Sequence, residues 1–107
     1  MIRSALTNDM NTCYITGLTG HIERHHVFGG AYRTRSTFYG FVVPLLAEIH
    51  PNGAWASDKA CKDYCGATLK QLDLHLKKEC QRLYEGLPGK TRKSFIEEFG
   101  KNYLEKG

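Results

Sequence analysis

His21-Ile22-Glu23-Arg24-His25-His26-Val27-Phe28-Gly29-Gly30 places three of the chain's five histidines within six residues, then closes on an apolar pair and a glycine pair. A short strand is expected over Glu23 to Phe28, with Gly29-Gly30 turning the backbone after it. On a strand, neighbouring side chains point to opposite faces, so His25 and His26 are free to do different work. Neutral imidazole is the commonest metal ligand, which makes one of the pair a candidate ligand and leaves its neighbour free for other work.

Upstream, Cys13-Tyr14-Ile15-Thr16-Gly17-Leu18-Thr19-Gly20 is β-prone but broken by glycine, the composition of a tight knuckle. Residues 1–12 are polar and aperiodic and read as a loosely held arm. Downstream, Ala31 to Thr37 reads as a polar loop, and the aromatic and β-branched run from Phe38 to Leu46 as a second strand, with Pro44 favouring an edge or a strand end. The two strands make a hairpin with a long loop. Leu45 to His50 starts a helix that Pro51-Asn52-Gly53 stops.

The second half is helical. Ser57 as N-cap and Gly66 beyond the end enclose a short helix over Asp58 to Cys65. A longer one runs from about Thr68 to Glu85, with Leu69, Leu72, Leu76 and Leu83 on one stripe joined by Cys80, and Gly86 as its stop. After Leu87-Pro88-Gly89, Thr91 or Ser94 caps a last helix carrying Phe95, Ile96, Phe99, Tyr103 and Leu104, which Gly100 weakens near its end.

At 107 residues, with 41% apolar and 24% charged residues, the composition fits one folded domain and excludes a disordered or fibrous chain. No signal peptide or membrane-length apolar run is visible, so an intracellular, cytoplasmic protein without a membrane partner is expected. The net charge of +4 permits a polyanionic partner without requiring one. Arg24, Arg33 and Arg35 flank the histidines, whereas Lys77, Lys78, Arg82, Lys90, Arg92 and Lys93 read as a solvated C-terminal surface.

The cysteines Cys13, Cys61, Cys65 and Cys80 form no C-x-x-C pair. Cys61 and Cys65, four apart on one helical face, offer a structural zinc site or, more simply, two small residues facing the core. His75, between leucines, reads as a surface residue and His21 as a loop residue. Trp55, in the loop Pro51-Asn52-Gly53-Ala54-Trp55-Ala56, has the character of a contact residue.

Taken in order, Cys13-Tyr14-Ile15-Thr16-Gly17, His25-His26-Val27-Phe28-Gly29-Gly30, Arg33, Ser36, Tyr39-Gly40 and Val43-Pro44-Leu45 resemble the small phage-type HNH endonuclease family, of the ββα-metal or His-Me finger class. The likeness continues through Leu72-Asp73-Leu74-His75-Leu76-Lys77-Lys78-Glu79-Cys80-Gln81-Arg82 and Phe99-Gly100-Lys101-Asn102-Tyr103-Leu104. It implies an α+β fold: a ββα-metal core over about 13–66 and C-terminal helices over about 68–104, within one HNH-like domain spanning 13–107.

The resemblance further implies a phage or prophage nuclease that hydrolyses DNA phosphodiesters with one divalent ion, whether Mg, Mn, Ni or Zn. His25 and His50 would be the metal ligands, His26 the catalytic base, and Arg24, Arg33 and Arg35 the nucleic-acid contacts. Two departures favour an alternative. Thr16 stands where the family has the second cysteine of a pair, and Leu46-Ala47-Glu48-Ile49-His50 carries no cysteine. The alternative is a catalytically degenerate HNH-fold protein that binds and inhibits or modulates a host nuclease or defence complex.

Overall fold

The protein, seen in a computed structural model, is described over residues 3–104. The first two residues of the arm, and residues 105–107 of the domain, lie outside the described residues. Among the described residues its architecture is α+β, a two-stranded antiparallel sheet with four α-helices. β1 (Ile22–His26) pairs with β2 (Val42–Leu46), setting His25 opposite Val43, His26 opposite Val42 and Arg24 opposite Pro44. All five residues of β2 are buried, so the strand reads as a continuous apolar run rather than an alternation.

The segment between the strands is not the loop expected from its polar composition. A 3₁₀ turn (Gly30–Tyr32) leads into α1 (Arg33–Tyr39), and Gly40 ends that helix in the left-handed region. Ser36 drives the turn of this helix inward: its buried hydroxyl donates to the Phe41 carbonyl (2.7 Å) and accepts from the Phe28 N–H (3.3 Å). One small polar residue thus ties β1 to the start of β2. Because α1 occupies Phe38 and Tyr39, the second strand begins four residues later than its β-propensity suggests.

Helix formation after β2 is limited to a 3₁₀ turn over Ala47–Ile49, and His50 is already extended. α2 (Asp58–Cys65) has Ser57 Oγ accepting from the Ala60 N–H and Gly66 in the left-handed region. α3 (Leu69–Glu85) opens on a reciprocal cap between Thr68 and Gln71. It buries Leu72, Leu76, Cys80, Gln81 and Tyr84. Leu83 is 43% exposed, and Tyr84 fills the core position expected of it. α4 (Arg92–Phe99) is capped by Thr91 and stops at Gly100, leaving Tyr103 and Leu104 beyond the helix.

An aromatic cluster joins the sheet to the helices. Phe28, two residues beyond β1, lies 4.5 Å from Phe99 and 5.7 Å from Phe95, centroid to centroid, so the strand end that carries the histidines is fixed against α4. Gln81, fully buried, donates to Glu85 and Asn102 (both 2.7 Å) and accepts from the Tyr103 N–H (2.8 Å), tying the C-terminal segment to α3. The arm is also anchored: the Ala5 N–H donates to the Gly40 carbonyl at 2.7 Å, and Leu6 packs on the core. In the knuckle, Cys13 is buried and its carbonyl accepts from the Gly17 N–H. The Tyr14 N–H donates to the Pro44 carbonyl at 2.8 Å.

Candidate functional site

β1 presents Glu23 and His25 on one face, where both meet His50 at the end of the 3₁₀ turn after β2. The His50 Nδ1 lies 2.7 Å from Glu23 Oε1, and its ring stands edge-on to that of His25 with centroids 5.1 Å apart. The hairpin therefore brings His50 back beside the histidine pair. With Glu23 ionised, Nδ1 is the donor and the Nε2 of His50 is left free. His26, the last residue of β1, is half-buried and lines the same cleft.

α3 closes the site from the other side. Its apolar stripe through Leu72 and Leu76 fixes the rotation of the helix, and the residues one step along, Asp73 and Lys77, then line the cleft. Asp73 Oδ2 accepts from Lys77 Nζ at 2.7 Å, while Oδ1 stands 3.6 Å from His25 Nε2, beyond hydrogen-bond distance. That nitrogen is buried, with His25 only 6% exposed, and has no hydrogen-bond partner among the described residues. An orphaned buried imidazole nitrogen is uncommon and invites a ligand.

The cleft has a volume of about 360 Å³ and is lined by the histidine pair, His50, Arg24, Arg33, Asp73 and Lys77, among others. Burial pushes the His25 imidazole below its ordinary range, helped by His50 and Lys77 against the opposing pull of Asp73. His26 is lowered too, by burial first and then by Arg33 and the other two histidines. Burial acts to raise Asp73, but His25 and Lys77 outweigh it and hold the carboxyl below its usual value.

The arginines separate. Arg24 and Arg33 line the cleft, whereas Arg35 is turned away and donates to the Glu98 carbonyl at the end of α4 (2.6 Å). Cys61 is buried and Cys65 half-buried; their sulfurs are 3.5 Å apart, and Cys65 Sγ also donates to the Cys61 carbonyl. His75 is exposed and paired with Glu79, and His21 is exposed, as expected of surface and loop residues. Trp55 is 69% exposed and stands edge-on to His21 at 6.5 Å.

Among the described residues, no three or more His, Cys, Asp or Glu side chains form a group that could hold a metal ion by themselves. The donors present are the unpartnered His25 Nε2 and the Glu23-oriented His50. Two imidazole donors suit Ni²⁺ or Zn²⁺ better than Mg²⁺, which takes oxygen ligands, and either ion would have to complete its shell with water or substrate oxygens. Asp73 has no role in the sequence reading, and Lys77, read there as part of a solvated surface, instead lines the cleft and pairs with Asp73. Their i, i+4 spacing beside the Leu72 and Leu76 stripe was the available signal, but which helix face meets the strand is a tertiary fact. The chain matches no family model, no curated protein and no solved structure. Among the described residues, no helix is long and apolar enough to cross a membrane.

Proposed function

We propose that the protein is a divalent-metal-dependent endonuclease of the HNH type that hydrolyses DNA phosphodiesters, with β1, β2 and the segment after them serving as a ββα-metal core. The observation that carries this reading is the buried, unpartnered Nε2 of His25, a residue that lines one cleft together with His26 and the Glu23-oriented His50. His25 and His50 are the residues that would hold the ion. When bound, it would offset the charge that develops on the scissile phosphate and its leaving oxygen.

His26 takes the proton from the attacking water, a role that needs a neutral imidazole within reach of solvent. Arg24 and Arg33 draw the phosphate into the cleft and hold it by charge-assisted hydrogen bonds. Glu23 keeps the His50 ring in one orientation and one tautomer.

A nicking assay on supercoiled DNA with Mg²⁺, Mn²⁺, Ni²⁺ or Zn²⁺, comparing the protein with His26→Ala, tests this. The variant should cut on the order of 10²- to 10⁴-fold more slowly. Equal rates for the two proteins would sink the assignment. The exposure of Trp55 and of Phe38, at 69% and 79%, supports a second reading. In it the same fold binds a host nuclease or defence protein, and retention of that partner by wild type but not by Trp55→Ala is the test.

A further inference from the structure

Three cationic side chains, Arg24, Arg33 and Lys77, line the histidine cleft against one carboxylate, Asp73. Asp73 already accepts from Lys77, and neither guanidinium has a carboxylate partner among the described residues. Two uncompensated arginines around a polar cleft leave a positive site that a mobile anion would neutralise. His25, a cleft-lining residue only 6% exposed, independently marks this place as built around something other than protein, because its buried Nε2 has no hydrogen-bond partner among the described residues.

We propose that Arg33 and Lys77, with Arg24, form a clamp for the phosphates of a nucleic-acid backbone on either side of His26, and that Asp73 is the positioning residue that keeps Lys77 at the cleft wall. This rests on the DNA-cleaving reading for its ligand, but it assigns to α3 a binding role that the strand histidines do not supply. Lys77 is suited to the task. Its ammonium has three donors, of which Asp73 takes one, and it stands over the Tyr103 ring, 5.6 Å from the centroid. Arg33, the first residue of α1, projects from an element anchored by Ser36, so the two cations belong to parts of the fold fixed separately against the core.

The test is binding without cleavage. A short fluorescent DNA duplex is titrated with the full chain in EDTA at several salt concentrations, with inorganic phosphate as a competitor in a parallel arm. Lys77→Gln and the exposed-site variant Arg33→Gln should each weaken binding roughly threefold to tenfold, and each should lower the slope of log affinity against log salt by about one. Lys93→Gln, on the exposed side of α4, should stay within about twofold of wild type.

Equal losses for all three variants would mean a diffuse positive surface and overturn the clamp. So would unchanged binding by Lys77→Gln, or no duplex binding by wild type at low salt. Competition by inorganic phosphate at concentrations equal to those of duplex phosphates would replace the backbone with a free-anion ligand and overturn it likewise. Should the binding pattern hold while His26→Ala cuts as fast as wild type, the nuclease reading fails and the clamp stands.

Discussion

Glu23 Oε1 lies 2.7 Å from the Nδ1 of His50, a contact between β1 and the turn after β2 that fixes both the tilt and the tautomer of the ring. Replacing Glu23 by Gln keeps the shape but removes the charge that holds Nδ1 protonated. Calorimetric titration with Mn²⁺ or Ni²⁺ should then show affinity about 10- to 100-fold weaker than wild type. Identical isotherms would mean that His50 takes no part in binding the ion.

Glu98 gathers a second polar network, away from the cleft, by accepting from the hydroxyls of Tyr39 and Tyr84 and facing Lys90 at 3.6 Å. Burial works to raise its pKa, but the two tyrosines and Lys90 win, so the folded value lies below the ordinary 4.5. The sign follows from linkage: the unfolded chain binds the proton more readily, so this contribution is complete above the ordinary value and fades as pH falls through the lower folded one. Urea titrations between pH 3 and 7, on the order of one pH unit apart, should show the gap between wild type and Glu98→Gln closing toward the acid end. A gap of about 1–2 kcal/mol at neutral pH is expected from the lost charged acceptor.

Gly40 has φ of +76°, and a Cβ there would sit 2.8 Å from the Ala5 backbone nitrogen. Both the conformation and the close approach of the arm require glycine. Gly40→Ala should lower stability by roughly 1–3 kcal/mol and expose the arm to protease. Unchanged proteolysis around residue 5 would show that the arm's seat does not depend on this contact.

The thiols should separate by burial. Cys61 is pushed up to about 12, by burial first and then by Cys65, and burial raises Cys80 as well. With an aromatic disulfide reagent the half-buried Cys65 should react first, while Cys13, Cys61 and Cys80 wait for unfolding. Protection of Cys65 by stoichiometric zinc would instead mark the Cys61 and Cys65 pair as a metal site.

Local signals were legible wherever they are self-contained. Ser57 and Gly66 mark α2, the Leu72 and Leu76 stripe marks α3, and Gly100 marks the end of α4. Where tertiary contact decides, they were not. The residues of α1 look polar and loop-like because the helix buries little but Ser36, and Leu83 yields to Tyr84 because the turn of α3 near its end selects one residue over its neighbour. Within the site, the proximity of His25 and His50 was readable from a hairpin returning on itself. The arrival of Asp73 and Lys77 depends on how a helix more than forty residues further along the chain docks, which no local pattern encodes.

Pro44 sits in the middle of β2 with its carbonyl directed away from β1, where it accepts from Tyr14. A residue's N–H and C=O share a side in an antiparallel ladder, so the donor that proline lacks is missing from the outer edge and not from the ribbon. That edge has no hydrogen to offer at its centre, and its acceptor is already taken. An edge strand with free backbone donors and acceptors would otherwise invite a strand from another molecule. At the centre of β2 that outer edge is closed to such growth, and the same proline that obscures the strand in the sequence keeps a further strand from pairing there.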